Sequence, residues 1–77
     1  MNDMNKDFLE LKAKYLRAIG GEKESFLVQM RENLKNRNGN ESLYTNHYTH
    51  QGETIDIDTC DEQKLFEIDN DMIVIGK

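Results

Sequence analysis

The spacing of the apolar residues changes near Ser42, and this change constrains the fold more than any other feature of the chain. Before it, apolar residues recur at steps of three and four, the spacing that puts side chains on one face of a helix. After it, apolar and polar residues tend to alternate, which is the period of a half-buried strand. The first helical stripe consists of Met4, Phe8, Leu11, Tyr15 and Ala18. The chain therefore predicts helices followed by strands, an α+β fold.

Two helices are predicted within residues 3–37. The first is expected to run to about Ile19, because Gly20 suits the left-handed residue that follows a helix C-terminus. The second ends where Gly39 stands between two asparagines, a sequence that favours a turn. The pair Gly20 and Gly21 is expected to separate the two helices of a hairpin, and one kinked helix is the alternative.

Three to four antiparallel strands are predicted within residues 43–76. The segments LYTNHYTH and TIDIDTC form the first two, with QGE as the turn between them. The segments KLFEID and MIVIGK form the others, joined by the two-residue loop ND. The helices are expected to pack on this meander in a single domain spanning residues 1–77. Since the last segment is apolar on both strand faces, it is expected either to be a central strand that is flanked on both sides or to meet another chain with its second face.

The acidic charge is concentrated in the second half of the chain. Residues 1–37 carry a net charge of +2 and residues 38–77 a net charge of −7, which together give −5. An acidic half repels nucleic acids and anionic membranes and attracts basic surfaces. Direct binding to nucleic acid or to a membrane is therefore not expected.

The segment TIDIDTC raises the question of a metal site. On a strand, Ile55 and Ile57 share one face while Asp56 and Asp58 share the other. Because burying unpaired carboxylates is costly, the isoleucines are expected to point inward and the aspartates outward. The calcium-loop pattern fails in this segment, because the segment lacks the Asp or Asn at the fifth position of the pattern and the glycine at the sixth. A magnesium ion on Asp56 and Asp58 is the weaker alternative, and no metal or cofactor is predicted.

The residue types for nucleophilic or zinc chemistry are present, but their surroundings are not. Cys60 is the single cysteine, which excludes an internal disulfide, and His47 and His50 supply too few further ligands for structural zinc. Acidic neighbours of Cys60 disfavour a reactive thiolate. The protein is therefore predicted not to be an enzyme. The N-terminus lacks an apolar leader and no segment is apolar enough to span a membrane, so the cytoplasm is the expected location.

These features favour a regulator or inhibitor that docks an acidic face on a basic surface of a larger protein. The predicted docking residues are Asp56, Asp58, Asp61, Glu62, Glu67 and Asp69, with Tyr44 and Tyr48 as candidate aromatic anchors. The alternative is a homo-oligomer, joined through the helices or the last strand, that binds or sequesters a nucleotide-like ligand. The high content of Asn, Lys and Ile, without Pro or Trp, suggests an AT-rich genome such as that of a phage or mobile element.

Overall fold

A helical hairpin begins the fold. The computed structural model describes residues 4–38 and 46–75, in which helix α1 spans Met4–Arg17 and helix α2 spans Gly21–Asn38. Gly20 takes a φ of 61°, the left-handed conformation that glycine adopts without a steric penalty. Its carbonyl then accepts the Lys23 N–H at 3.1 Å, in the first turn of α2. The predicted hairpin is confirmed, and the kinked single helix is wrong.

A two-stranded antiparallel hairpin follows. Strand β1 spans His47–His50 and strand β2 spans Glu53–Asp56. The register pairs Tyr48 with Ile55. Gln51 and Gly52 both have positive φ, 52° and 80°, as a type I′ turn requires. The predicted turn is therefore confirmed, but these are the only two strands in the part of the chain that the structure describes.

The segment predicted as the third and fourth strands is a helix, so the predicted meander is wrong. Helix α3 spans Glu62–Ile75 and contains the ND dipeptide that was expected to be a loop. Leu65, Ile68 and Met72 follow one another at steps of three and four, and all three pack in the core. Asp61 supplies the start signal, because its side chain accepts the Lys64 N–H at 3.0 Å.

The core joins all five elements. Its fully or nearly buried members are Phe8, Tyr15, Met30, Leu34, Tyr48, Ile55, Ile57, Leu65 and Ile68. Ile55 and Ile57 are both buried, as their alternation with aspartates predicts. Asn33 connects α2 to α1 by a hydrogen bond, since its side-chain amide donates to the Met4 carbonyl at 2.9 Å. The β-hairpin packs on α3 through β1, where the Tyr48 hydroxyl donates to Asp71.

Candidate docking surface

The segment between β2 and α3 carries a dense group of carboxylates. We name residues 56–62 the acidic turn, after its side chains Asp56, Asp58, Asp61 and Glu62. Asp58, Asp61 and Glu62 are exposed, whereas Asp56 is half-buried. The prediction that the aspartates of this segment avoid the core therefore agrees with their positions.

Hydrogen bonds to Asp56 fix the shape of the acidic turn. Its Oδ1 atom accepts the Asn46 amide at 3.1 Å and the Asp58 backbone N–H at 2.9 Å. Its carbonyl oxygen accepts the backbone N–H groups of Thr59 and Cys60, at 3.2 and 2.9 Å. The hydrogen bond from Asn46, followed by that from the Asp58 backbone, lowers the pKa of the Asp56 carboxyl group. Asp56 thus stays ionised and holds the turn in place.

Two cations from α2 support the turn from one side. Lys35 Nζ lies 2.8 Å from Asp58 Oδ1, and this hydrogen bond raises the pKa of Lys35. The Arg31 guanidinium donates to the Cys60 carbonyl at 2.9 Å. Ion pairs between partly exposed groups contribute about 1 kcal/mol or less. Asp58 therefore remains available for exchange with another cation.

Asp61 and Glu62 connect the turn to the helices. Asp61 is the N-cap of α3, as its contact with Lys64 N–H shows. The Tyr15 hydroxyl donates a hydrogen bond to Glu62 Oε1, and this bond, with burial as the second cause, raises the pKa of Tyr15. The contact holds the acidic turn beside the last turn of α1. The side chains of Asp61 and Glu62 are nevertheless exposed.

Removal of the cap should destabilise the fold measurably. We expect Asp61→Ala to lower the free energy of unfolding by about 1 kcal/mol, because the first turn of α3 loses its acceptor. Asp61→Asn should stay within a few tenths of a kcal/mol, since asparagine caps as well as aspartate. Urea denaturation followed by circular dichroism measures both. An equal loss in the two variants would show that the charge matters and the cap does not.

Glu67 and Asp69 occupy different environments. Lys64 Nζ lies 3.7 Å from Glu67 Oε1 and 3.7 Å from Glu53 Oε1. One cation therefore contacts two carboxylates. Asp69 is only 5 % exposed and lies 2.6 Å from Arg37 Nη1. Of the predicted docking residues, Asp69 is therefore placed inside the fold.

One of the two candidate aromatic anchors, Tyr48, lies in the described part of the chain. Tyr44 lies outside the described residues. Tyr48 is buried, and its hydroxyl donates to Asp71 on α3. Burial, followed by this hydrogen bond, raises the pKa of Tyr48 from 10.0 to about 12. The structure thus places Tyr48 in the core, where it ties the hairpin to α3.

The raised pKa of Tyr48 predicts alkaline destabilisation. The folded state holds the hydroxyl proton more tightly than the unfolded state, so this contribution is complete below the unfolded pKa of 10.0 and is lost as pH rises towards about 12. Between these two pH values, the free energy of unfolding should fall less in Tyr48→Phe than in the unaltered chain. Urea denaturation at several pH values measures the two slopes. Equal slopes would contradict the assignment.

A polar groove lies between the hairpin tip and α3. Its volume is about 410 Å³, and it is lined by His50, Gln51, Glu67, Asn70 and Asp71. His50 Nδ1 lies 3.5 Å from Asp71 Oδ2. The sequence reasoning missed this groove, because residues 67, 70 and 71 share one side only once the segment is helical.

Cys60 has no feature of an activated nucleophile. It is half-buried, and burial is the largest cause that raises the pKa of its thiol, although Arg31 acts in the opposite direction. Within residues 4–38 and 46–75 no three or more His, Cys, Asp or Glu side chains are grouped so as to hold a metal ion.

No protein-family model, curated protein or solved structure matches the chain. None of the helices in the described ranges has the length and apolar character needed to cross a membrane.

Proposed function

We propose that this protein is a small non-enzymatic binding protein of the cytoplasm, encoded by a phage or mobile element. It docks its acidic turn on a basic surface of a larger protein and thereby regulates or inhibits that larger protein. The observation that carries the proposal is the exposure of three carboxylates, Asp58, Asp61 and Glu62, on a turn whose backbone is held by hydrogen bonds.

Preorganisation is the first support for the proposal. A binding loop that is already ordered loses less conformational entropy when it binds. Asp56 orders the start of the acidic turn and the Asp61 cap orders its end. The charged groups between them are thus presented in fixed positions.

The charge balance around the turn is the second support. Lys35 is within ion-pair distance of Asp58, and Lys64 lies between Glu53 and Glu67. These carboxylates outnumber the cations that contact them, so the surface keeps a negative potential that steers a basic partner. Asp69 is left out of the proposed surface because Arg37 neutralises it inside the fold.

Two variants of equal net charge test the proposal. The turn variant carries Asp58→Asn, Asp61→Asn and Glu62→Gln, and the control variant carries Asp7→Asn, Glu22→Gln and Glu24→Gln on the exposed surface of the helices. Each removes three carboxylates and changes the net charge of the chain from −5 to −2. Asparagine at position 61 keeps the helix cap.

The measurement is a pull-down from the native host lysate with quantitative mass spectrometry. We expect proteins captured by the unaltered chain to be retained by the control variant and lost from the turn variant. Their loss from both variants would point to unspecific charge attraction. Their retention by the turn variant would contradict the proposal.

A second candidate function is small-ligand binding by a homo-oligomer, and the groove at His50 favours it. Two carboxylates, Glu67 and Asp71, line this groove, so its charge suits a small cation better than the nucleotide-like anion expected from the sequence. Native mass spectrometry of the purified chain separates the two functions. A fixed extra mass that disappears in Glu67→Gln would favour ligand binding, and its absence would favour docking.

A further inference from the structure

One face of α1 is apolar and uncovered. Leu9 is 48 % exposed and Leu16 is 57 % exposed, and Ala13 between them is exposed as well. Steps of four and three residues place these side chains on the same side of the helix. Ile19, just beyond the end of α1, is also exposed and extends the patch. Two large apolar side chains exposed on one face of a helix make that face a candidate interaction surface.

This face is distinct from the side of α1 that packs in the core. Phe8 and Tyr15, one residue before each leucine, are buried and turned by about 100° from it. Helix α3 approaches α1 on another flank, where Lys12 Nζ lies 4.5 Å from the centroid of the Phe66 ring. Residues 4–38 and 46–75 therefore leave the leucine face uncovered.

The charges beside this face indicate what can cover it. Glu10 follows Leu9 directly and Arg17 follows Leu16, so each leucine has one charged neighbour on the same flank. Both side chains are exposed, and neither makes an ion pair with another residue of 4–38 or 46–75. The two charges are opposite and seven residues apart, as are the two leucines.

A second copy of the chain matches this arrangement in one orientation only. When two α1 helices pack antiparallel with Leu9 opposite the partner's Leu16, Glu10 comes close to the partner's Arg17, and the symmetry repeats this pair. Parallel packing would instead place the Glu10 and Arg17 flanks of the two copies on opposite sides of the contact, where Glu10 could not pair with the partner's Arg17. Ala13 lies near the two-fold axis of the antiparallel pair, where its small side chain permits close approach.

We propose that two copies of this protein associate through an antiparallel pairing of α1, with Leu9, Ala13 and Leu16 in the contact and Glu10 paired with the partner's Arg17. A single helix face is a small interface, so the dimer is weak and dependent on concentration. The proposal stands independently of the docking function.

The dimer also has a consequence for the acidic turn. The contact between Tyr15 and Glu62 places that turn beside the C-terminal end of α1. With Leu9 opposite the partner's Leu16, Tyr15 lies level with Glu10 of the partner, so the two acidic turns are offset along the helix axis by only five residues, about 7.5 Å. Two binding surfaces on one particle raise the apparent affinity for a partner with two basic sites.

Sedimentation velocity over about 10 µM to about 1 mM tests the association, the range in which an interface of this size is populated. Leu16→Glu should raise the dissociation constant by about tenfold or more, because a carboxylate would be buried without a partner. Val28→Glu is the matched control, since Val28 is 48 % exposed on the outer side of α2, and it should leave the constant unchanged. A chain that is monomeric throughout, or a dimer that Leu16→Glu does not weaken, would overturn the proposal.

Charge exchange then tests the orientation. Glu10→Arg alone and Arg17→Glu alone should each weaken the dimer, because each brings like charges together twice. The double variant Glu10→Arg/Arg17→Glu should restore it. Failure of the double variant to recover, with its helix content unchanged by circular dichroism, would overturn the antiparallel pairing.

Discussion

Replacement of Arg37 by Met should lower the free energy of unfolding by about 3–5 kcal/mol, the usual cost of leaving one partner of a buried ion pair alone. Arg37 Nη1 lies 2.6 Å from Asp69 Oδ1, and the Asp69 residue is only 5 % exposed. A chain of this length has a total stability of roughly 4–12 kcal/mol, so the variant is expected to be near the limit of folding. Urea denaturation at neutral pH measures the loss.

Two further variants separate this effect from a general loss of charge. Lys35→Met removes a partly exposed ion pair with Asp58 and should cost about 1 kcal/mol or less. The double variant Arg37→Met/Asp69→Leu removes both buried charges and should recover most of the stability. Equal losses in Arg37→Met and Lys35→Met would contradict a buried ion pair at Asp69.

Ile68→Ala should lower the free energy of unfolding by about 3 kcal/mol, because a fully buried side chain would leave a cavity in the core. Ile73→Ala is the matched control on the same helix. Ile73 is 43 % exposed, so its truncation should cost about 1 kcal/mol or less. Chemical denaturation of the two variants gives the difference directly.

Two further variants, Leu65→Ala and Phe66→Ala, test α3 against a strand. In a strand, Phe66 and Ile68 would share the buried face, whereas in α3 the fully buried residues are Leu65 and Ile68. Leu65→Ala should therefore be as costly as Ile68→Ala. A small effect of Leu65→Ala together with a larger effect of Phe66→Ala would contradict the helix.

The first half of the fold could be predicted because its signals are local. The apolar stripe from Met4 to Ala18 predicts α1, and Gly20, which takes a positive φ, predicts its end. The predicted end at residue 19 is two residues beyond the observed end at Arg17. The turn at Gln51 and Gly52 is likewise set by its own residues. Such signals do not depend on the rest of the chain.

The third helix was missed because its apolar residues fit both periods. Phe66 and Ile68 alternate as in a strand, while Leu65, Ile68 and Met72 repeat as in a helix. The Asp61 cap could have decided between them, since an aspartate shortly before apolar residues at steps of three and four is a helix-start signal, and its side chain accepts the Lys64 N–H. Packing of Leu65 and Ile68 against the helical hairpin then favours the helix.

The candidate site shows the same division between local and distant causes. Exposure of Asp58 and Glu62 follows from the cost of burying a carboxylate, so the sequence predicts it. Burial of Asp69 depends on Arg37, which is 32 residues away in the chain and reaches it only through the packing of α2 on α3. No spacing rule in the sequence connects those two residues.

The most direct test of the docking surface is a nuclear magnetic resonance titration of the isotopically labelled chain with a ten-lysine peptide, a simple model of a basic surface. We expect the amide shifts to change most at residues 56–62, and we expect the turn variant Asp58→Asn/Asp61→Asn/Glu62→Gln to lose these changes while the helix control keeps them. Changes spread evenly over the exposed carboxylates, or centred on the groove at His50, would contradict a docking role for the acidic turn.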